Sequence, residues 1–289
     1  MRPVRTFSIV TLDPMTRELG VAVASKFLSV GAVVPWAQAE VGAIATQSWA
    51  NTSYGPRGLR LLKRGLSAQE ALDRLVAQDS GRDQRQVGIV DATGRAATFT
   101  GSKCYAWAGG FAGPNFACQG NILVSEATVQ AMVHTFQTTS GDLAERLVAA
   151  LAAGEEAGGD NRGKQSAALL VVKPQGGYGG WNDRYIDLRV DDHANPVQEL
   201  MRLLSQHKLY LYKTDPKDLV KIDASIAREL QTMLARHGYY QGLINGEYDD
   251  ATRAALRALV HRENLEERER MDDMIDGVVL RFLRERFGE

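Results

Sequence analysis

Two segments, GVAVASK and SAALLVV, set the tightest limits on how this chain can fold. Val21, Ala22, Val23 and Ala24 are apolar without alternation, and so are Leu169, Leu170, Val171 and Val172. Successive side chains of a strand point to opposite faces, so strands of this kind need cover on both sides. Either a parallel sheet with helices on each face or two stacked sheets with helices outside supplies it. Further strands are expected at TFSIVTL, AVVPWAQ, VGAIATQ, QVGIVDA and AATFTG. The turn-rich connection DPMTRELG makes the first two strands a hairpin, and Asp91 to Gly94 forms another turn. Helices are expected over 56–79, where Ser67 and Glu70 make a capping-box pattern, over 121–136, and over 142–153. This order lacks the strict alternation of a doubly wound sheet.

A chain of 289 residues has room for a large domain and a smaller companion. Lys and Arg number 34 against 35 for Asp and Glu, so no global basic field favours a nucleic-acid partner. The start, MRPVRTFSIV, has two arginines but no apolar core after them, which is unlike a secretory signal. The longest apolar run, around AALLVV, is too short to span a bilayer. The cytoplasm is the expected location, with no membrane partner. Cys104 and Cys118 read as free thiols unless the fold brings them together.

The text changes near residue 206. QHKLYLYKTDPKDLVK, residues 206–221, is polar and reads as a linker. In the unit 222–289, Ile222, Ile226, Leu230 and Leu234 mark a helix that Gly238 stops. Asn245-Gly246 is a turn, and Asp249 or Asp250 caps the next helix. Met271, Ile275, Val279 and Leu283 predict a last helix, weakened by Gly277.

Over residues 6–205 the motifs TFSIVTLD, GVAVASKFLSVGAVVPWA, VGAIATQ, RQVGIVDATGRAATFTG, QGN, GGDNRGKQSAALLVV and DLRVDDH resemble the uncharacterised DUF1028 family, placed in the Ntn-hydrolase superfamily. The resemblance implies an α+β fold, a four-layer α-β-β-α sandwich, here followed by a small all-α domain. It also implies a homo-oligomer and no cofactor. Relatives often begin Met-Thr at the first strand, whereas here Met1 to Arg5 precede Thr6 and form a candidate propeptide. An α-amine, with a pKa of about 7.7–8.0, can act as base for its own threonine hydroxyl; an amide nitrogen cannot. Thr6 therefore needs the Arg5–Thr6 bond cut, and the superfamily's usual route is attack by the Thr6 hydroxyl itself.

The candidate catalytic residues are Thr6, Lys26, Asn51, Asp160 and Ser166. Lys26 either lowers the amine pKa or is a solvated strand-end lysine. Backbone N–H groups near Gln47 and Ser48, with the Asn51 amide, suit an oxyanion hole or an ordinary loop. Asp160 and Ser166 would position the amine, and Arg162 and Gln165 would hold substrate. Asp160 with Arg162 also reads as a loop-fixing ion pair, and Asn121 as a site residue or a helix cap. Asp191, Asp192 and His193 invite a metal reading, but acidic pairs at strand ends are commonly turn-forming, and no metal is expected.

Leu230, Gln231, Leu234, Gly238, Tyr239, Gly242, Asn245, Gly246, Tyr248, Thr252 and Leu256 resemble the peptidoglycan-binding repeat. Tyr239, Tyr240, Asn245 and Tyr248 are its candidate ligand contacts, or the plugs of a small core. Together the resemblances imply an amidohydrolase acting on a small amide or peptide-like substrate, with a muropeptide-binding module. The alternative is a non-catalytic scaffold or binding protein with an uncut start.

Overall fold

A computed structural model of the chain describes residues 6–288, and the candidate propeptide, residues 1–5, lies outside them. The chain divides into two compact units between Leu204 and Ser205. The first carries β1 (Thr6–Leu12), β2 (Leu19–Ser25), β3 (Pro35–Gln38), β4 (Gly42–Ser48), α1 (Tyr54–Lys63), α2 (Ala68–Ala77), β5 (Arg85–Asp91) and β6 (Ala96–Thr100). It continues with β7 (Gly109–Gly113), β8 (Phe116–Gly120), α3 (Ala127–Thr138), α4 (Leu143–Glu156), β9 (Ser166–Val172) and β10 (Arg184–Val190). The helix α5 (Pro196–Leu211) leads out of it.

The strands make two sheets, ordered β10-β9-β2-β1-β8-β7 and β3-β4-β5-β6, and every pairing is antiparallel. The apolar cover anticipated for β2 and β9 comes from different sources on their two faces. Ala22, Ala24, Leu169 and Val171 pack with Met132 and Phe136 of α3 and Leu147 and Leu151 of α4. Val21, Val23, Ala168 and Leu170 pack instead with Ala43, Ala45 and Val90 of the second sheet. That sheet turns Ile44, Val87 and Ile89 to Leu72 and Leu75 of α2. Both α2 and α4 begin with capping boxes, Ser67 with Glu70 and Asp142 with Glu145.

Three strands of the first unit escaped the sequence pattern. The segment of β7 is GGFAG and that of β8 FACQG, both short and low in β-branched residues. The strand β10, RYIDLRV, mixes charge with apolar residues because it is a sheet edge.

The second unit holds β11 (Leu219–Lys221), α6 (Ala224–Arg236), α7 (Asp250–Arg262), β12 (Met274–Asp276) and α8 (Gly277–Phe287) around a core that includes Leu230, Leu234, Leu256, Leu259, Val279 and Leu283. Three expectations need correction here. Residues 206–221 are no linker: α5 runs to Leu211, and β11 pairs with β12. For the same reason the unit is not all-α. The last helix does not start near Met271, because Met274–Asp276 is a strand, and Asp276 caps α8 by accepting from the Val278 N–H. Gly277 stands at the first helical position rather than mid-helix, where a Cβ would lie 2.7 Å from the Asp218 carbonyl. The expected cap forms at Asp249 of α7, one of the two aspartates read there, and Asp223 caps α6 as well.

Candidate functional site

Alternation along the strands decides what faces the space between the two sheets. In β1 the residues Val10 and Leu12 face it, so Thr6 and Ser8 do as well. The same count places Ser25 of β2, Gln47 of β4, Gln86 of β5, Gln119 of β8 and Ser166 of β9 on inward faces at one end. The interior therefore changes from valine, leucine and alanine to hydroxyls and carboxamides as it approaches Thr6. All of these polar residues are buried.

Their hydrogen bonds form one network. The Ser8 hydroxyl donates to Gln47 Oε1 at 2.6 Å and accepts from Gln119 Nε2 at 2.7 Å. Gln47 Nε2 donates to Gln86 Oε1 at 2.8 Å and to the Thr6 carbonyl at 3.2 Å. Asn121 donates its backbone N–H to that same carbonyl at 3.0 Å and its Nδ2 to Gln86 Oε1 at 2.9 Å. Gln86 Nε2 donates in turn to the Gly120 carbonyl at 2.7 Å. Two buried acceptors, Gln119 Oε1 and Asn121 Oδ1, receive no hydrogen bond from any described residue. Buried carboxamides are costly unless bonded, so this set fixes the backbone at Thr6 firmly.

Thr6 stands opposite Ser25, and Ser25 opposite Ser166, across three adjacent strands. The Thr6 hydroxyl donates to Ser25 Oγ at 3.1 Å, and both residues are buried. Ser166 is spent differently: its hydroxyl donates to the Phe27 carbonyl and accepts from the Val30 N–H, stapling the loop after β2. Asp160 accepts from the Lys26 N–H at 3.0 Å and pairs with Arg162 through two side-chain bonds, at 3.0 and 2.6 Å. The ammonium of Lys26 donates to the Lys164 carbonyl. Gln165 donates its N–H to the Ser25 carbonyl and its Nε2 to Asp192. A cavity of about 60 Å³ opens on the helix-facing side of these strand ends, bordered by Phe7, Ala24, Ser25, Gly159, Asp160 and Lys164.

The structure thus gathers Thr6, Gln47 and Asn121 in direct contact, and brings Lys26, Asp160, Arg162, Gln165 and Ser166 to the adjoining strand ends. It does not bring Asn51 to them. The Asn51 amide donates to Asp79, which also binds Tyr54 and Arg85. Burial raises the Asp79 pKa, but the hydrogen bonds from Arg85, Asn51, Gly81 and Tyr54 win and hold it well below the usual range. Burial and then the Asp79 carboxylate push the Tyr54 hydroxyl upward. Asn51 therefore anchors a loop rather than facing Thr6. Ser48, with a left-handed φ of 67°, ends β4 next to Cys104, whose thiol burial raises. Both cysteines are free. Among the described residues no cluster of His, Cys, Asp or Glu could hold a metal, and no helix is long and apolar enough to cross a membrane.

Ser8, Ser25, Gln86 and Gln119 are the residues of this network that sequence reasoning missed. For Ser25 the signal was present: a hairpin that pairs Leu12 with Leu19 puts Ser25 opposite Thr6.

In the second unit, Gln231 is fully buried and donates to Asn245 Oδ1 at 3.1 Å, the Glu247 carbonyl at 2.9 Å and Thr252 Oγ1 at 3.1 Å. It also accepts from the Gly246 N–H at 2.9 Å, so the Asn-Gly turn is pinned to α6. Tyr240 turns inward as a core residue and donates to the Leu243 carbonyl, which removes it as a stacking surface. Tyr239 and Tyr248 are half-buried against the same core, and Arg253 lies over the Tyr248 ring. Asn245 is exposed, as are Leu243 and Ile244 beside it.

Residues 6–200 match the model described as "Family of unknown function (DUF1028)", and residues 210–283 match the one described as "Putative peptidoglycan binding domain". A crystal structure of a DUF1028 protein from Silicibacter pomeroyi is similar, with a TM-score of 0.66 and 34% identity over 72% of this chain and 88% of that one. No curated protein matches. On the extent of these two matches, the chain belongs to the DUF1028 family, a family of unknown function.

Proposed function

We propose that the first unit is an N-terminal-nucleophile amidohydrolase with Thr6 as nucleophile, acting on a small amide or peptide-like substrate. The observation that carries this reading is the polar end of the inter-sheet space. A fold does not bury Thr6, Ser8, Ser25, three glutamines and Asn121 together for stability, since apolar residues there would pack without a desolvation cost. The two sheets, each with helices on its far side, support an Ntn-type four-layer arrangement, in which the nucleophile opens a central strand. Thr6 opens β1, which has strands on both sides.

Activity then requires loss of residues 1–5, which turns the Thr6 nitrogen from an amide into an amine able to take the hydroxyl proton. Lys26, Asp160 and Arg162, at the adjoining strand ends, would bias that amine or hold a substrate carboxylate. We further propose that the second unit binds muropeptide, through Asn245 and the exposed Leu243–Ile244 turn with the accessible parts of Tyr239 and Tyr248. A homo-oligomer in the cytoplasm, handling wall fragments taken back into the cell, accommodates both units.

One observation favours a second reading, a non-catalytic scaffold: Thr6 is fully buried in the uncut chain. Intact-mass measurement of purified protein separates the two. The hydrolase reading expects a chain that begins at Thr6, and expects Thr6→Ala to keep all 289 residues. The scaffold reading expects the same uncut start in both.

A further inference from the structure

We infer that Ser25 positions the Thr6 hydroxyl for reaction, an inference that rests on Thr6 being the nucleophile. The two residues are cross-strand partners in β1 and β2, and their hydroxyls are 3.1 Å apart. Neither is open to water, so no solvent molecule competes for the bond. Threonine has few χ1 states, and an acceptor on the neighbouring strand selects one of them. The other polar candidates nearby are committed elsewhere. Asp160 holds the Lys26 N–H and Arg162, Ser166 holds the loop at Phe27 and Val30, and Lys26 holds the Lys164 carbonyl. Among the described residues, Ser25 is the one side chain bonded to the Thr6 hydroxyl.

The step it serves is the self-cleavage that makes the amine. Thr6 Oγ1 bonds to the Arg5 carbonyl carbon, the Arg5–Thr6 C–N bond breaks, and the hydroxyl proton passes to the Thr6 nitrogen. The products are an ester and a free amine. Water then splits the ester, releasing the Arg5 carboxylate and restoring the hydroxyl. Ser25 makes and breaks no covalent bond; it holds Oγ1 in one rotamer throughout.

The test follows cell-free synthesised full-length chain by intact mass over time. Ser25→Ala should slow the appearance of the chain starting at Thr6 by roughly ten- to a hundredfold. Ser25→Thr, which returns the hydroxyl, should restore the rate to within about threefold, a rescue that mere packing would not give. Ser25→Cys, of similar volume with a weaker hydrogen-bonding group, should fall between, and keeps the test open if Ser25→Ala does not fold. Cleavage of Ser25→Ala at the wild-type rate, with Thr6→Ala uncut, overturns the role of Ser25 and leaves Thr6 standing. If the folded wild-type chain itself stays uncut, Thr6 is not a processing nucleophile, and the role assigned to Ser25 falls with it.

Discussion

A methyl group on Gly88 would lie 2.0 Å from Gln119 Oε1. Gln119 cannot retreat cheaply, because its Nε2 is bound to the Ser8 hydroxyl and carbonyl. The glycine is therefore part of the polar network, and its need is spatial rather than conformational. Gly88→Ala should cost about 1–3 kcal/mol in urea unfolding of the full chain. The double variant Gly88→Ala/Gln119→Ala should recover part of that loss, since it removes the opposing atoms. At this scale the sequence was only partly legible. The family resemblance singled out Thr6, and Asp160 and Arg162 stood out as charged neighbours in one loop. Gln47 was read only through its backbone N–H, and Gln86 and Gln119 were not singled out, because the meeting of these side chains depends on two sheets pairing face to face. Asn51 misled for the same reason: its partner, Asp79, is 28 residues away and its neighbour Tyr54 hides in a helix start.

Elements carry the pH response. Asp276, which caps α8, is buried, which raises its pKa; hydrogen bonds from Thr214, the Val278 N–H and Arg268 outweigh that and hold it below the usual range. Asp91 behaves alike: burial raises it, and bonds from Thr93 and Arg95 bring it down further. Depressed carboxylate pKa values contribute stability that is present in full above the unfolded value of about 3.9 and is lost as pH falls through the folded values. The depressed carboxylates should thus make thermal midpoints measured across pH fall steeply below about pH 4. Asp276→Asn should flatten the acid limb of the second unit while lowering its stability at neutral pH, by leaving the buried Arg268 guanidinium without its counter-charge. Arg268 also donates to the Lys208 and Leu209 carbonyls, closing the end of α5. None of this could be read from 206–221, whose polarity reflects exposed faces of a helix and an edge strand rather than a tether.

At the scale of the whole molecule, the boundary falls at Ser205 rather than 222. A fragment 205–289 retains β11, Thr214 and the carbonyls that Arg268 binds; a fragment 222–289 loses all three. The longer fragment should unfold cooperatively by circular dichroism, while the shorter should be largely unfolded or far less stable. Titrating the folded fragment with muropeptides then tests the proposed ligand, and Asn245→Ala should weaken binding if the exposed turn makes the contact. The overall class of the first unit was legible because strands apolar on both faces leave few ways to be covered. The site's position was legible only through the family resemblance, which pointed to Thr6, and not through Ser25, which needed the register. The most direct measurement of the central claim is the intact mass of the purified, folded protein. The account predicts a chain that starts at Thr6, with Thr6→Ala retaining residues 1–5; a folded wild-type chain that still begins with those five residues would contradict it.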